Sequence, residues 1–249
     1  MISTPFSPNI GFEDFRRFAS DPALSKHEKV GFPDSYRQGY EDAIFADIRS
    51  KLTNLGVAGG RAMDIGAGCS DLPRQLMEFC AQAGQDIVLV DSAEMLSLLA
   101  DAPNLSKIAG AFPDIEGFAD RYRSSVDAIL CYSVIQYVFL ESSVFRFVDE
   151  ALSLLVPGGQ MLIGDVPNVS KRKRFFASDT GKRFHKEFMK TDRDPEVRFN
   201  QIELNYMDDS VVLALVQRAR AQGFEAYILP QGPGLPMANR REDILITRP

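Results

Sequence analysis

Ala62-Met63-Asp64-Ile65-Gly66-Ala67-Gly68-Cys69-Ser70-Asp71-Leu72-Pro73 is the stretch that decides the fold. Ala62 to Ile65 predicts a buried strand. Gly66 and Gly68 predict a tight turn, where a missing Cβ lets the backbone come close to a ligand. Ser70 or Asp71 can cap the helix that follows. Pro73 suits its first turn, where a backbone N–H has no partner to lose. Leu72, Leu76 and Phe79 then recur on one helical face. Strand, glycine turn and helix in this order open a nucleotide-binding α/β unit. The acid narrows the ligand. Asp64 stands two residues before the first glycine, where a carboxylate repels a pyrophosphate. The third glycine of a G-x-G-x-x-G fingerprint is Asp71 here. A ligand that is cationic at this point, or carries an amine, suits the turn better.

The stretch resembles motif I of the class I S-adenosylmethionine (SAM) methyltransferases, of the form (D/E)-x-G-x-G. The resemblance implies that Asp64, Gly66, Ala67 and Gly68 cradle the methionine part of SAM. It also implies an α/β fold: a Rossmann-like seven-stranded mixed sheet with helices on both faces and an antiparallel last strand. It extends over about residues 40 to 249 through the order and spacing of elements.

Outward from motif I, Asp86 to Asp91 predicts a second strand, apolar on both faces in its middle as a covered parallel strand should be. Asp91 ends it, about twenty residues past the glycine turn, where a carboxylate can accept both hydroxyls of a ribose. Asp91 and Ser92 also open the next helix, and capping and ribose binding are compatible. Met95 can flank adenine or pack in the core. Lys107 to Ala109 predicts a third strand. The family usually follows it with a polar residue toward the adenine amine. Ala111 and Phe112 stand there instead, so backbone bonds and the Phe112 ring are expected to serve.

Val126 to Cys131 predicts the fourth strand. It resembles the family's motif IV region, which places Cys131, Tyr132 and Ser133 at the methyl-transfer point beyond the strand end. Gln160 to Val166 predicts the fifth strand, and two more at the carboxyl end, Phe224 to Leu229 and Asp243 to Thr247, form a closing hairpin. Before motif I, a helix is expected with Tyr40, Ile44, Ile48, Leu52 and Leu55 on one face. The family's loop before this helix often touches SAM, which makes Tyr36 and Arg37 candidates and leaves Tyr40 to the core.

Two segments lie outside the plain fold. Residues 1–35 form a phenylalanine-rich arm (Phe6, Phe12, Phe15, Phe18, Phe32), expected either to pack on the core or to act as a lid. Residues 36–249 form the methyltransferase domain, interrupted at about 168–207 by an insertion. Its first part, Lys171 to Lys186, holds seven Lys/Arg and one acid. An insertion of that polarity leaving the ligand end of the sheet is expected to cap the acceptor pocket, with a solvated basic helix as the plainer alternative.

Length and composition set the limits. The chain of 249 residues allows one large domain with additions, and 45% hydrophobic content supports a full core. A net charge of −6 argues against general affinity for nucleic acid. Cys69, Cys80 and Cys131 have no metal-type spacing and suit a reducing compartment. No visible cluster demands a metal. No apolar run is long enough to span a bilayer, and no secretion signal is visible, so a soluble cytoplasmic protein is expected. Oligomeric state is not legible.

The expected reaction is methyl transfer from SAM to an oxygen or nitrogen of a small-molecule acceptor. The basic insertion suits one that is phosphorylated or linked to a nucleotide or carrier. An RNA methyltransferase, a SAM-binding protein without catalysis and a nicotinamide-dependent dehydrogenase are the alternatives. The last is weakened by Asp64 and the missing glycine. A base is needed only for a hydroxyl or ammonium acceptor. Tyr132, Asp165 and His185 are the candidates, and the sequence does not choose among them. His27, the second histidine, lies in the arm.

Overall fold

The computed structural model describes residues 10–249. Phe6 of the arm lies outside them. Seven strands form one sheet: β1 (Arg61–Ile65), β2 (Asp86–Asp91), β3 (Leu105–Ala109), β4 (Val126–Tyr132), β5 (Leu155–Pro167), β6 (Glu225–Pro230) and β7 (Arg241–Thr247). Their order is β3-β2-β1-β4-β5-β7-β6. The first five are mutually parallel, and β7 runs antiparallel to both β5 and β6. The seven-stranded mixed sheet is as expected. The edge strand β3 and the long β5 both start earlier than their apolar runs suggest.

Ten helices accompany the sheet among the described residues: α1 (Phe12–Ser20), α2 (Glu41–Lys51), α3 (Asp71–Ala83), α4 (Ala93–Leu96), α5 (Phe118–Tyr122), α6 (Ile135–Glu141), α7 (Val144–Ser153), α8 (Val169–Ala177), α9 (Asp179–Met189) and α10 (Asp209–Ala221). They cover two faces because each strand alternates. Met63 and Ile65 of β1 join the core under α5, α6, α7 and α10, with Phe147, Leu152 and Leu215. Ala62 joins the opposite core, with Ile44 and Ile48 of α2 and Leu76 and Cys80 of α3. Asp64 shares the face of Ala62.

Tyr40 departs from its expected core place. It is the N-cap residue of α2 and stays exposed, while Ile44, Ile48, Leu52 and Leu55 bury the stripe it was expected to begin. The helix starts one residue too late to turn Tyr40 inward. Asp127 bonds the Arg61 backbone N–H at 2.7 Å and ties the starts of β1 and β4 together. Asp208 caps α10 by accepting from the N–H groups of Ser210 and Val211.

The arm crosses the carboxyl ends of the strands. Arg16 of α1 pairs with Glu94 of α4 at 2.7 Å. The Phe15 ring meets Tyr137 of α6 edge-on at 4.7 Å, and Glu141 accepts from the Phe12 N–H at 2.9 Å. The insertion is a helical hairpin. Phe175 of α8 meets Phe184 of α9 at 5.6 Å, and Gly181 allows the approach: a Cβ there would stand 1.9 Å from the Phe175 carbonyl. Its cations are mostly paired, Arg172 and Lys173 with Glu203, Arg174 with Asp209, and Lys182 and Lys186 with Asp194. No described helix is long and apolar enough to cross a membrane.

Candidate functional site

A cavity of about 380 Å³ lies over the carboxyl ends of β1, β2 and β4. Its floor is the turn after β1. Gly66 and Gly68 take φ of +79° and +66°, a region that side chains avoid. A Cβ on Gly66 would stand 2.5 Å from Val134, and one on Gly68 would stand 2.7 Å from Val30. The turn is therefore closed to any larger residue from both sides. The Gly66 N–H donates to the Val90 carbonyl at 2.8 Å, which fixes the turn to β2.

Asp91 stands beside it at the end of β2. Its two oxygens accept from the Gly68 N–H at 2.7 Å and the Ser92 N–H at 2.6 Å. Burial raises its carboxyl above the ordinary range, against the pull of those bonds. Asp64 differs. It is 2% exposed, and no described donor reaches its side chain. Burial, then the charge of Asp91, pushes it up to about 8. It does not line the cavity, because strand alternation turns it under the sheet toward α2 and α3.

Of the predicted cofactor residues, Gly66, Ala67, Gly68, Asp91, Met95, Ala111, Phe112, Tyr132, Ser133 and Arg37 line this one cavity. Asp64, Ser92, Cys131 and Tyr36 do not. Ser92 is buried and caps α4, accepting from the Met95 N–H at 3.1 Å. Cys131 is fully buried within β4, and burial raises its thiol. Tyr36 is half-buried at the back of the arm.

The end of β4 meets the arm through Arg37. Its guanidinium donates to Ser133 Oγ at 2.7 Å and to Asp165 Oδ2 at 2.8 Å, and lies 3.9 Å over the Phe32 ring. Asp165 is held from every side. Ser133 Oγ, Gln231 Nε2 and Arg37 donate to its carboxylate, and Arg241 pairs with it at 3.4 Å. Burial would raise its carboxyl, but Arg241, Arg37, Ser133 and Gln231 together hold it below the ordinary value. Tyr132 is 7% exposed, and burial with the nearby Asp165 charge raises its hydroxyl well above 10. His185 lies in α9, edge-on to Phe176 at 6.1 Å, away from the cavity. None of residues 168–207, the insertion expected to cap the acceptor pocket, lines this cavity.

Residues of the arm line it instead. Phe12, Phe15, His27, Val30 and Phe32 line the cavity together with Tyr137, Val138 and Phe147. The phenylalanine spacing marked the arm as apolar; no signal in the sequence told which cavity it covers.

This is the Rossmann-like seven-stranded fold of the class I SAM-dependent methyltransferases. Residues 63–163 match the family model described as "Methyltransferase domain". No curated protein matches the chain significantly. Among solved structures, the N-methyltransferase NodS from Bradyrhizobium japonicum WM9, in complex with S-adenosylhomocysteine, aligns with a TM-score of 0.59 at 12% identity, over 96% of this chain and 98% of that one. The plantazolicin methyltransferase BpumL, with a triazolic desmethylPZN analog and S-adenosylhomocysteine, aligns at 0.58 and 11%, over 95% and 98%. A Haloferax volcanii methyltransferase in complex with a methyltransferase activator aligns at 0.56 and 15%, over 94% and 97%. At such identities these likenesses carry the fold. The family match adds a methyltransferase domain over residues 63–163, and the solved neighbours NodS and BpumL hold S-adenosylhomocysteine.

Proposed function

We propose that the chain moves the methyl group of SAM to a nitrogen, ahead of an oxygen, of a small and largely apolar acceptor held under the arm. One observation carries this reading. A single cavity is lined both by the glycine turn with Asp91 and by Phe12 and Phe15 of the arm with Tyr137 of α6. The glycine turn fits the cofactor because a Cβ at Gly66 or Gly68 would have no room. Bound there, SAM supplies an electrophilic methyl on a sulfonium, so no acid is needed to release the leaving group.

The residues have separate tasks in this reading. Gly66, Ala67 and Gly68 present backbone to the amino-acid tail. Asp91 receives the ribose hydroxyls, with its carboxylate already aimed by two N–H groups. Met95, Ala111 and Phe112 wall the adenine side. Tyr132 and Ser133 bound the transfer point, and Arg37 and Phe32 exclude water.

None of the three expected bases is free to take a proton. Tyr132 is held neutral, Asp165 has its oxygens occupied, and His185 is elsewhere. An acceptor with a ready lone pair, such as a neutral amine or ring nitrogen, needs no such base. Of the structural neighbours, NodS is an N-methyltransferase and BpumL a plantazolicin methyltransferase. The alternatives of RNA methylation or binding without catalysis have less support, because the insertion's cations are largely paired and apolar side chains of the arm line the cavity.

Radiolabelled SAM offered with a panel of apolar amines, matched alcohols and purified RNA tests this. Transfer to at least one amine class is expected. Label in RNA alone, or in nothing while SAM binds, would reject it.

A further inference from the structure

We propose that His27, Glu41 and Asp71 bind a divalent transition ion of the Zn2+ or Mn2+ class, which fastens the arm to the rim of the cofactor cavity. The three residues come from separate elements: the arm, the start of α2 and the first turn of α3. Their ligand atoms lie within 4.8 Å of one another. His27 is 2% exposed. Its Nδ1 lies 2.8 Å from Asp34, and its Nε2 lies 3.0 Å from Glu41.

That arrangement is how a metal-binding histidine is usually prepared. A carboxylate on one ring nitrogen fixes the tautomer and aims the other nitrogen at the ion. Asp34 fills the supporting place. Two ligands at right angles, each about 2.1 Å from an ion, are about 3.0 Å apart, so the Nε2–Glu41 distance matches one edge of a coordination shell. One imidazole with two carboxylates suits Zn2+ or Mn2+, and offers none of the thiolates that soft ions prefer.

Two further observations favour an ion over a histidine simply hydrogen-bonded between two carboxylates. First, Asp34 and Glu41 already suffice for that histidine, yet Asp71 joins the group. Its present partner is the ammonium of Lys26, a half-exposed side chain that can swing into water. Second, an open cleft reaches the cluster from outside. It is lined by Glu41, Asp42, Asp71 and Glu78 against a single cation, Arg74. Such a cleft draws cations inward. Glu41 borders both this cleft and the large cavity, and His27 borders the cavity. An ion at their meeting point holds the arm where it closes the pocket.

The test uses the full chain, stripped with chelator and titrated without SAM, so that it stands apart from the cofactor reading. Calorimetry with ZnCl2, and separately MnCl2, should give one equivalent bound and a higher melting temperature. His27→Ala and Asp71→Asn should weaken binding at least about tenfold, and Asp34→Asn by about 10–100-fold. Lys26→Ala should tighten it by removing the competing ammonium. Cobalt(II) should give a visible absorption band that Glu41→Gln abolishes. If His27→Ala does not fold by circular dichroism, the more exposed Asp71→Asn decides. No binding of either ion, or binding that all these variants leave unchanged, overturns the site and leaves a histidine bridging Asp34 and Glu41.

Discussion

Two carboxylates near the glycine turn have different environments and so different tasks. Asp91 has a backbone N–H on each oxygen and faces the cavity. Asp64 has neither and lies beneath the sheet. Asp91→Ala should weaken SAM binding by about 1.5–3 kcal/mol, the range for hydrogen bonds to a charged group. Calorimetry with SAM checks it, and unchanged affinity in a folded variant removes Asp91 from the ribose. Asp64 makes a prediction about stability. The unfolded chain gives up this proton near the ordinary carboxylate value of 3.8, whereas the folded chain keeps it to about 8. Between those values the unfolded state binds fewer protons, so Asp64 lowers stability as pH rises, levelling off above 8. Asp64→Asn removes that loss. Its melting temperature should exceed the parent's by a margin that widens from pH 4 to pH 8. A gain of 1 kcal/mol moves the midpoint of a domain this size by about 2–4 °C, so scanning calorimetry across pH resolves it. A constant margin would show that Asp64 ionises in the fold as it does in the unfolded chain.

At the scale of elements, the arm is held at both ends of its crossing, and Arg37 is the inner fastening. It bonds Ser133 and Asp165 while covering Phe32, and joins residues a hundred positions apart. Arg37→Gln should cost about 1.5–3 kcal/mol in urea unfolding, since Asp165 keeps Arg241 but loses a charged donor. Amide exchange should quicken in residues 27–40 and not in β4 or β5. Equal protection in variant and parent would place the arm's stability elsewhere. Elements with local signals were legible in advance. The β1 turn announced itself by two glycines, and β2 and β4 by apolar runs. Tyr40 misled because its spacing fits the α2 stripe, while the helix begins one residue later. For Asp64, motif spacing gives the place of a carboxylate along β1 but not the face it takes. Arg37, Ser133 and Asp165 each stood out singly, and their union needed the sheet to bring them together. The cluster of His27, Glu41 and Asp71 was hidden for the same reason.

Across the whole molecule, charge and function separate in space. The net charge is −6, although Lys171 to Lys186 carries seven cations against one acid. Sequence alone ties that density to the acceptor, because the insertion leaves β5 at the ligand end of the sheet. In three dimensions α8 and α9 fold on their own phenylalanines, and Glu203, Asp194 and Asp209 take up most of the cations. The cavity is instead lined in part by apolar side chains of the arm. A charge reversal discriminates between these roles. Lys182 and Arg183 stand on α9, clear of the cavity and of every proposed ligand. Exposed pairs such as Lys182–Asp194 contribute about 0–1 kcal/mol, so Lys182→Glu with Arg183→Glu should leave the fold intact. Methyl transfer to a neutral apolar amine should then keep kcat/KM within about two-fold, since no steering field acts on an uncharged acceptor. The same variant should respond differently if the acceptor is a polyanion. Reversing two charges on a phosphate-binding face would lower kcat/KM steeply and flatten its dependence on salt. Steady-state rates at low and physiological salt, for parent and variant, distinguish the two, and a steep loss on the amine would return the insertion to the acceptor site.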